Sequence, residues 1–319
     1  MGYYNGDWTT TALFFESGTY GSQSGAAIWP GLVQSAEPDE NINLRPTRYV
    51  GGDTRNIDTF IKGPKDFNVS MSLFPQDFRL LGFALGSMVS AGSPTPYQHT
   101  LKESDKTTCL FPSLQAELAQ QGCVAGSNFV RTATGMVVDS LTINSSEGEP
   151  VTFDANFIAQ NITFSSGAVT SVTANTSRPF VWSDALVSIP SGTNVDNITS
   201  TTFSINNTFR APHHLNGSEV IDTPIPQGRE YSIDLNLESY DANTKTFYDQ
   251  YYLGGSEFNM QMRYVASAGS RDAVLTFSGC RINKMTSPVT NENVQTQVIN
   301  ITPKSCSAVV DDIIEVYGV

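Results

Sequence analysis

In the stretch GPKDFNVSMSL at residues 63–73, apolar and polar side chains alternate without a break from residue 67 to residue 73, which is the period of a half-buried β-strand. A related stretch, QGREYSIDLNL at residues 227–237, aligns with it at an offset of 164 and shows the same alternation from residue 231 to residue 237. The apolar positions coincide when the two are aligned: Phe67 with Tyr231, Val69 with Ile233, Met71 with Leu235, and Leu73 with Leu237. These two stretches predict a mainly β fold with an internal repeat.

The repeat continues beyond these strands. TGMVVDSL at residues 134–141 aligns with SGCRINKM at residues 278–285, now at an offset of 144. The change of offset gives the first copy about 20 extra residues. They fall in a Ser/Pro/Gly/Lys-rich segment, about 89–112, which we expect to form an inserted loop.

Each copy also holds a predicted helix after its first strand, at residues 76–87 and 243–253. We therefore expect two tandem β-sandwich domains, each with one flanking α-helix, over residues 1–176 and 177–319. The first includes an N-terminal arm, residues 1–30, without a regular period. The helices are expected to bury an apolar stripe against the sheet, made of Leu80, Leu81, Phe83 and Leu85 in copy one and Phe247, Tyr251 and Leu253 in copy two.

Composition excludes several classes of function. The 319 residues carry 18 Lys+Arg against 31 Asp+Glu, a net charge of −13, which disfavours tight binding of nucleic acid phosphates. No run of 18 apolar residues occurs, so no membrane-spanning helix is predicted. The four cysteines, Cys109, Cys123, Cys280 and Cys306, have no metal-ribbon or CxxC spacing, and a Cys109–Cys123 disulfide is possible without being required.

No catalytic, cofactor-binding or metal-binding motif is present, so we expect a protein that is not an enzyme and holds no cofactor. His213-His214 follows a proline in a predicted loop, and exposed loop histidines are the simplest interpretation. Glu147 and Glu149 lie between two predicted strands beside Asn144-Ser-Ser, which is typical of a solvated hairpin turn.

Four segments together carry a resemblance to a known family. PSLQAEL at 112–118, TGMVVDSLTI at 134–143 and GEPVTF at 148–153 resemble the core strands of tail tube proteins of long-tailed phages and archaeal viruses. The opening FESGTYG at 15–21 is similar to the start of such proteins. The second copy repeats the pattern more faintly, so the resemblance covers nearly the whole chain.

The resemblance implies a structural protein of a long flexible virion tail, assembled in the host cytoplasm. In that family each domain gives four strands to a 24-stranded barrel, with six domains in a ring. A duplicated chain would supply two domains, so we expect homotrimeric rings that stack into a tube. The implied partners are other copies of the chain, a tape measure protein, other tail proteins and, transiently, double-stranded DNA ejected through the lumen.

Strict alternation lets only one face of a strand meet the sandwich core, and the apolar set must do so. Under the resemblance, the polar set then lines the lumen, where uncharged and acidic groups would not hold DNA. The lumen-lining positions predicted in this way are Asn68, Ser70, Ser72, Gln115, Glu117, Glu230, Ser232, Asp234, Asn236, Glu238, Asn259 and Gln261.

Two other functions remain open from the sequence. A carbohydrate-binding or adhesive β-sandwich on a virion or cell surface could use the aromatic residues Trp29, Trp182, Tyr251 and Tyr252 as a platform. A hydrolase of host polysaccharide would need two carboxylates roughly 5–10 Å apart in a cleft. Two equal copies suit a ring better than a single cleft. Ring stacking would need contacts along the axis, for which residues 1–30 and 89–112 are the candidates.

Overall fold

The computed structural model describes residues 4–16, 20–48, 56–91, 96–105, 111–122, 127–190, 192–238, 245–266, 270–286 and 296–317. Its strands are β1 (Tyr4–Glu16), β2 (Gln23–Ile28), β3 (Leu32–Asn41), β4 (Arg45–Thr47), β5 (Thr59–Ile61), β6 (Asp66–Phe74), β7 (Gly86–Ala91), β8 (Tyr97–Glu103), β9 (Leu114–Gly122), β10 (Phe129–Ser146), β11 (Thr152–Ala159), β12 (Asn161–Ser165), β13 (Ala185–Ser188), β14 (Ile198–Arg210), β15 (Ile225–Glu238), β16 (Phe258–Val265), β17 (Asp272–Thr286), β18 (Thr296–Thr302) and β19 (Ser305–Asp312). Its helical segments are α1 (Arg79–Leu85), a 3-10 turn (Trp182–Asp184) and a π-helix (Phe247–Leu253). The chain is mainly β, as the alternation predicts.

One antiparallel sheet, the central sheet, runs through both halves of the chain. Its strand order is β3-β6-β11-β10-β14-β15-β18-β17. The first four strands precede residue 176 and the last four follow it. β10 and β14 join the halves, with Leu141 opposite Ile205 and Ile143 opposite Phe203, all four side chains being buried.

Two outer sheets cover the central sheet. The first outer sheet has the order β2-β1-β9-β10-β12, and the second has the order β7-β8-β19-β17-β16-β13. The apolar faces of all three sheets contribute to one buried core. Phe203 of the central sheet meets Phe277 of the second outer sheet edge-to-face, with ring centroids 4.8 Å apart. The fold is therefore a sandwich in each half, built on one shared sheet.

β10 and β17 each pass from an outer sheet into the central sheet at a glycine bulge. Gly135 in β10 has a φ of 63°, and Gly279 in β17 has a φ of 62°, a region that glycine adopts without steric cost. The first bulge is held by two side chains of the FESGTYG segment. The Glu16 carboxylate accepts from the Gly135 N–H at 2.7 Å, and the Tyr20 hydroxyl donates to the Gly135 carbonyl at 2.7 Å.

Strand pairing recurs along the chain at the offset of 144 seen in the sequence. Leu141 of β10 lies opposite Ala155 of β11, and at that offset Met285 of β17 lies opposite Ile299 of β18. The two bulge glycines are related by the same offset. Such recurrence is what a duplication would produce, and the domain boundary near residue 176 stays a prediction.

The expected loop at 89–112 is wrong in its described part, because β7 and β8 form a hairpin there. β8 pairs with β19, so the first half of the chain extends the outer sheet of the second half. The physical reason is that His99 and Leu101 alternate with exposed residues and are fully buried. Residues 92–95 and 106–110 of the predicted loop lie outside the described part of the chain.

The N-terminal segment also departs from the expected irregular arm. β1 pairs with β9 continuously from Thr9 to Phe15, and β2 pairs with β1. Ala12, Leu13 and Phe14 are buried, and this burial explains why the segment is regular. The aromatic residues and glycines suggested an irregular arm, but they belong to a strand that is buried on both faces near its end.

The helices follow the prediction with one exception. Leu80, Leu81, Phe83 and Leu85 are buried in α1, which is shorter than expected, and Phe247 and Tyr251 are buried in the π-helix. The prediction that Leu253 is buried is wrong, because its side chain is 64% exposed. It follows Tyr251 by two residues, which places it on the opposite side of a helix. None of the described helices has the length and apolar character needed to span a membrane.

Candidate functional site

The candidate site is the outward surface of the central sheet, here called the polar face. Each strand buries one set of side chains and presents the other. In β6, for example, Val69 and Met71 are buried, whereas Ser70 and Ser72 lie on the polar face. The register places polar side chains from all eight strands side by side on this surface. The surface is eight strands wide and mostly polar, with Val298 of β18 as an exposed apolar exception, so most of its width is hydrated.

A chain of side-chain hydrogen bonds crosses the polar face. The Ser72 hydroxyl donates to the Asp154 carboxylate at 2.6 Å, and the Asn144 amide donates to its other oxygen at 3.0 Å. The Thr202 hydroxyl then donates to the Asn144 amide oxygen at 3.0 Å. These hydrogen bonds link β6, β11, β10 and β14, so they connect one half of the protein to the other. It fixes the polar groups in a regular array parallel to the sheet.

The second half repeats such contacts. The Asn300 amide of β18 donates to Asp234 at 2.8 Å and to the Ser232 hydroxyl at 3.2 Å, both on β15. The Asn236 amide donates to the Ser200 hydroxyl at 2.6 Å. Because these groups already satisfy one another, few of their donors are left to bind a ligand.

The charges on the polar face are mostly negative. Within the described strands, its carboxylates include Glu37, Asp39, Asp154, Glu230, Asp234 and Glu238, whereas its cations in the second half are Arg210 at the end of β14 and Arg281 and Lys284 of β17. Arg281 and Lys284 lie at one margin of the sheet, where Arg281 already pairs with Glu257 at 3.2 Å, and Arg210 lies at the end of its strand. The middle of the face is therefore neutral to acidic.

Eight of the twelve sequence-predicted positions lie together on the polar face. They are the residues of β6 and β15: Asn68, Ser70, Ser72, Glu230, Ser232, Asp234, Asn236 and Glu238. Their opposed apolar partners are buried as expected.

The other four positions do not join them. Gln115 and Glu117 belong to β9 in the first outer sheet, and Asn259 and Gln261 belong to β16 in the second. Gln115 is itself buried and donates to Gln23 at 3.1 Å. Alternation shows which face of a strand is apolar, but it does not show which sheet the strand joins. The pattern alone therefore does not separate these four positions from the other eight.

Sequence reasoning missed the positions that β10, β11, β14 and β18 add to the face. Asp154, Asn144, Thr202 and Asn300 are examples, and each makes a cross-strand hydrogen bond. A usable signal was present, because Asn-x-Ser/Thr triplets begin at Asn68, Asn144, Asn206 and Asn300, all on this face. Asparagine and hydroxyl residues recurring inside predicted strands indicate a hydrated sheet surface.

The remaining polar candidates have local partners. His213 lies 3.1 Å from Asp66, and His214 contacts Asp222, both at the surface. The Glu149 N–H donates to the Ser146 carbonyl in the turn between β10 and β11. Among the residues that the structure describes, no three His, Cys, Asp or Glu side chains converge as metal ligands.

The described cysteines are buried thiols. Burial raises the pKa of Cys280 to about 12 and also raises the pKa of Cys306, so neither is a thiolate at neutral pH. The possible Cys109–Cys123 disulfide lies outside the described residues.

The four aromatic residues proposed as a carbohydrate platform do not meet. Trp29 donates from its indole N–H to Gln76 at 2.6 Å and lines a cleft beside β3. Trp182 lines a different cleft with Val187 and Ile198. Tyr251 is buried against Phe258, and Tyr252 packs on Tyr248. The structure thus separates the residues that this alternative function needs.

Comparison with known proteins gives a family. The sequence model described as phage tail tube protein matches residues 9–303, which is nearly the whole chain. No curated protein matches. Among solved structures, a chain of the "Virion of native gene transfer agent (GTA) particle" is similar at 14% identity and a TM-score of 0.31, over 38% of this chain and 91% of that chain.

Proposed function

This chain belongs to the phage tail tube protein family, and we propose that its polar face lines the lumen of a tube through which double-stranded DNA leaves the virion. Its coarse role follows from the family, since a tail tube protein is a structural component of the virion tail. The observation that carries the finer proposal is the polar face itself. It is eight strands wide and cross-linked by side-chain hydrogen bonds, and most of its charged side chains are acidic.

The ring is proposed to contain three chains. Each half supplies four strands to the central sheet, in the recurring order β3-β6-β11-β10 and then β14-β15-β18-β17. Three such sheets placed edge to edge would give the 24 strands that the resemblance implies. In this arrangement the two halves are duplicated tube domains, and the ring has threefold symmetry that approximates sixfold symmetry.

The chemistry of the polar face suits DNA passage. Carboxylates repel phosphates, and amides and hydroxyls hold water without ionic attraction. At physiological salt the charge repulsion acts over about 8 Å, so it concerns DNA close to the wall. A wall of this kind would leave DNA free to slide.

Stacking of rings is proposed to use the β4–β5 hairpin. Its two strands pair only with each other among the described strands, and Phe60 and Ile61 are exposed on it. These side chains would be buried against the next ring, which would remove apolar surface from water. We propose this hairpin as the contact between rings in place of the N-terminal segment and the 89–112 segment, because the described strands of those two segments are already paired in the outer sheets.

A charge reversal tests the lumen. Asp234→Lys on the polar face should leave tubes intact but slow DNA release from purified virions, more strongly at low salt, because a cation would attract the phosphates. Glu117→Lys makes the same charge change on the first outer sheet and serves as the matched control. Equal release rates in the two variants and the parent would contradict the lumen assignment. Slower release in Glu117→Lys alone would place the wall on the outer sheet.

A further inference from the structure

The two margins of the central sheet are the strands that the ring would join. Among the described strands, β3 pairs with β6 alone, and residues 281–286 of β17 pair with β18 alone. An unpaired strand edge presents backbone donors and acceptors to another strand. If the proposed function holds, these two margins meet at a junction between neighbouring chains, and the structure indicates which residues meet there.

The junction inside one chain provides a template. β10 of the first half meets β14 of the second half with Ser140 opposite Asn206 and Thr142 opposite Ser204. The hydroxyls of Thr142 and Ser204 lie 3.2 Å apart, so the pairing includes a side-chain contact. The corresponding strands at the margins are β17, which repeats β10, and β3, which β14 repeats.

The first correspondence is fixed by the pairing of β17 with β18. Ser140 lies opposite Asn156, and Lys284 lies opposite Asn300, so both members of the pair recur at the offset of 144. The irregularity after Val138 in β10 recurs after Ile282 in β17, at the same offset. Ser140 and Thr142 therefore correspond to Lys284 and Thr286.

The second correspondence is fixed by the pairing of β3 with β6. Ser35 lies opposite Ser72, and Ser200 lies opposite Asn236 in the equivalent strands. An irregularity follows Val33 in β3 and Ile198 in β14, so these two strands are related by an offset of 165. Asn206 and Ser204 therefore correspond to Asn41 and Asp39.

We propose that β17 of one chain pairs antiparallel with β3 of a second copy, with Lys284 opposite Asn41, Met285 opposite Glu40 and Thr286 opposite Asp39. This register continues the polar face across the junction, because Lys284, Thr286, Asn41 and Asp39 all belong to it. The sheet then has no edge anywhere around the ring.

Charge complementarity supports this partner over others. On the polar face β3 carries Glu37 and Asp39, whereas the marginal part of β17 carries Lys284. Pairing β3 with another β3 would set carboxylates against carboxylates, which is destabilising. In the heterologous β17–β3 register Lys284 is instead the diagonal neighbour of Asp39, within reach of a long side chain, and heterologous contacts can close into rings.

A second set of side chains supports the same junction. Inside the chain, the Asn207 amide at the end of β14 donates to the Ala84 carbonyl of α1 at 3.0 Å, so a helix covers the strand junction. The position that corresponds to Asn207 is Ile42, which is exposed. The π-helix would cover it from the neighbouring chain, and this helix exposes Tyr248 and Leu253. Apolar surface is thus unburied on both sides of the proposed junction.

Disulfide trapping tests the register. Asn41→Cys with Lys284→Cys places two thiols opposite each other, within the distance that cross-strand pairs allow. After mild oxidation of assembled tubes, this variant should run as a covalent trimer on a non-reducing gel. Each single variant should remain monomeric, and this controls for reaction with the native cysteines. Ser140→Cys with Asn206→Cys is the intrachain control and should form a disulfide without a change in chain number.

A shifted pair provides the matched negative control. Glu37→Cys with Lys284→Cys uses the same strands and the same face, but Glu37 lies four positions from Asn41, about 13 Å along the strand. It should not give a trimer. Tubes that form without the 41–284 cross-link, or that cross-link through 37–284, would overturn the register and leave the proposed function standing. Purified protein that forms no rings or tubes at all would overturn both.

A charge swap keeps the test independent of cysteine chemistry. Lys284→Glu should reduce ring formation at low salt, because it faces the acidic β3. Adding Asp39→Lys should restore rings if the two positions are neighbours across the junction. Failure of the double variant to recover, with both proteins folded, would contradict the proposed pairing.

Discussion

Replacing Gly135 by Ala tests whether the bulge in β10 determines how that strand joins two sheets. Gly135 has a φ of 63°, and a Cβ built there would lie 2.7 Å from Cζ of Tyr20 and 2.7 Å from Cβ of Gln160. Both contacts are closer than real side chains tolerate. The Tyr20 ring would have to move, and its hydrogen bond to the Gly135 carbonyl would be lost.

The expected loss of stability is the sum of three effects. An Ala in the left-handed region costs about 1–2 kcal/mol. Overpacking against Tyr20 and Gln160 costs about 1–3 kcal/mol, and the lost hydrogen bond about 1 kcal/mol. We therefore expect Gly135→Ala to lower the free energy of unfolding by about 4 kcal/mol.

Gly148 offers a matched control, because its φ is 80° and no atom lies within 4 Å of a Cβ built there. Gly148→Ala should lose only the conformational part, about 1–2 kcal/mol. Urea unfolding of the unassembled protein, followed by tryptophan fluorescence, measures both variants. Equal losses in the two variants would refute the reasoning, because they would mean that Tyr20 and Gln160 do not confine the bulge.

Three further results are expected. Leu81→Asp should prevent folding, because it places an unpaired charge in the core. Leu253→Asp, on the exposed side of the π-helix, is the control and should fold. A folded, soluble Leu81→Asp protein would contradict the packing of α1. His99 donates from Nε2 to the Ile314 carbonyl at 2.8 Å, and burial lowers its pKa. Stability should therefore fall as pH drops below about 6.5, where the unfolded imidazole gains its proton first. His99→Gln should show a weaker loss between pH 7.5 and 5, and identical pH profiles would exclude His99 as the cause. Phe60→Ser should permit rings to form but shorten the tubes seen by negative-stain microscopy. Phe164→Ser, at a similarly exposed position on β12, should leave tube length unchanged. Tubes of normal length in Phe60→Ser would exclude the β4–β5 hairpin as the contact between rings.

The sequence predicts the local structure better than the long-range pairing. Alternation identifies the buried side of β6 and β15, because a strand's side chains alternate regardless of its neighbours. The same alternation in β9 and β16 gives the right buried residues without indicating the sheet. Sheet membership depends on which distant strand supplies the hydrogen bonds. The local alternation around Gln115 and around Ser70 is the same, so it does not indicate that distant strand.

The β7–β8 hairpin shows a second limit. Its residues lie among Ser, Pro, Gly and Lys, which favour a loop, whereas pairing of β7 with β8 and of β8 with the distant β19 makes the segment a hairpin. His99 is buried there because Ile314 and Ser90 satisfy both ring nitrogens. A contact between residues 215 positions apart leaves no trace in the local composition.

The offset of 144, by contrast, was informative about long-range pairing. The offset of 144 that relates Leu141 to Met285 in the sequence also relates their pairing partners, Ala155 and Ile299, in the structure. Repeats carry long-range information because two copies of one pattern constrain each other's register. The proposed junction between chains depends on this property.

A cryo-electron microscopy reconstruction of tubes assembled from the purified protein tests the central claim most directly. It should show three chains per ring, 24 strands around the channel, and Asn144, Asp154 and Asp234 facing the channel. A ring of six chains, or a reconstruction with these three side chains on the outer wall of the tube, would contradict the account.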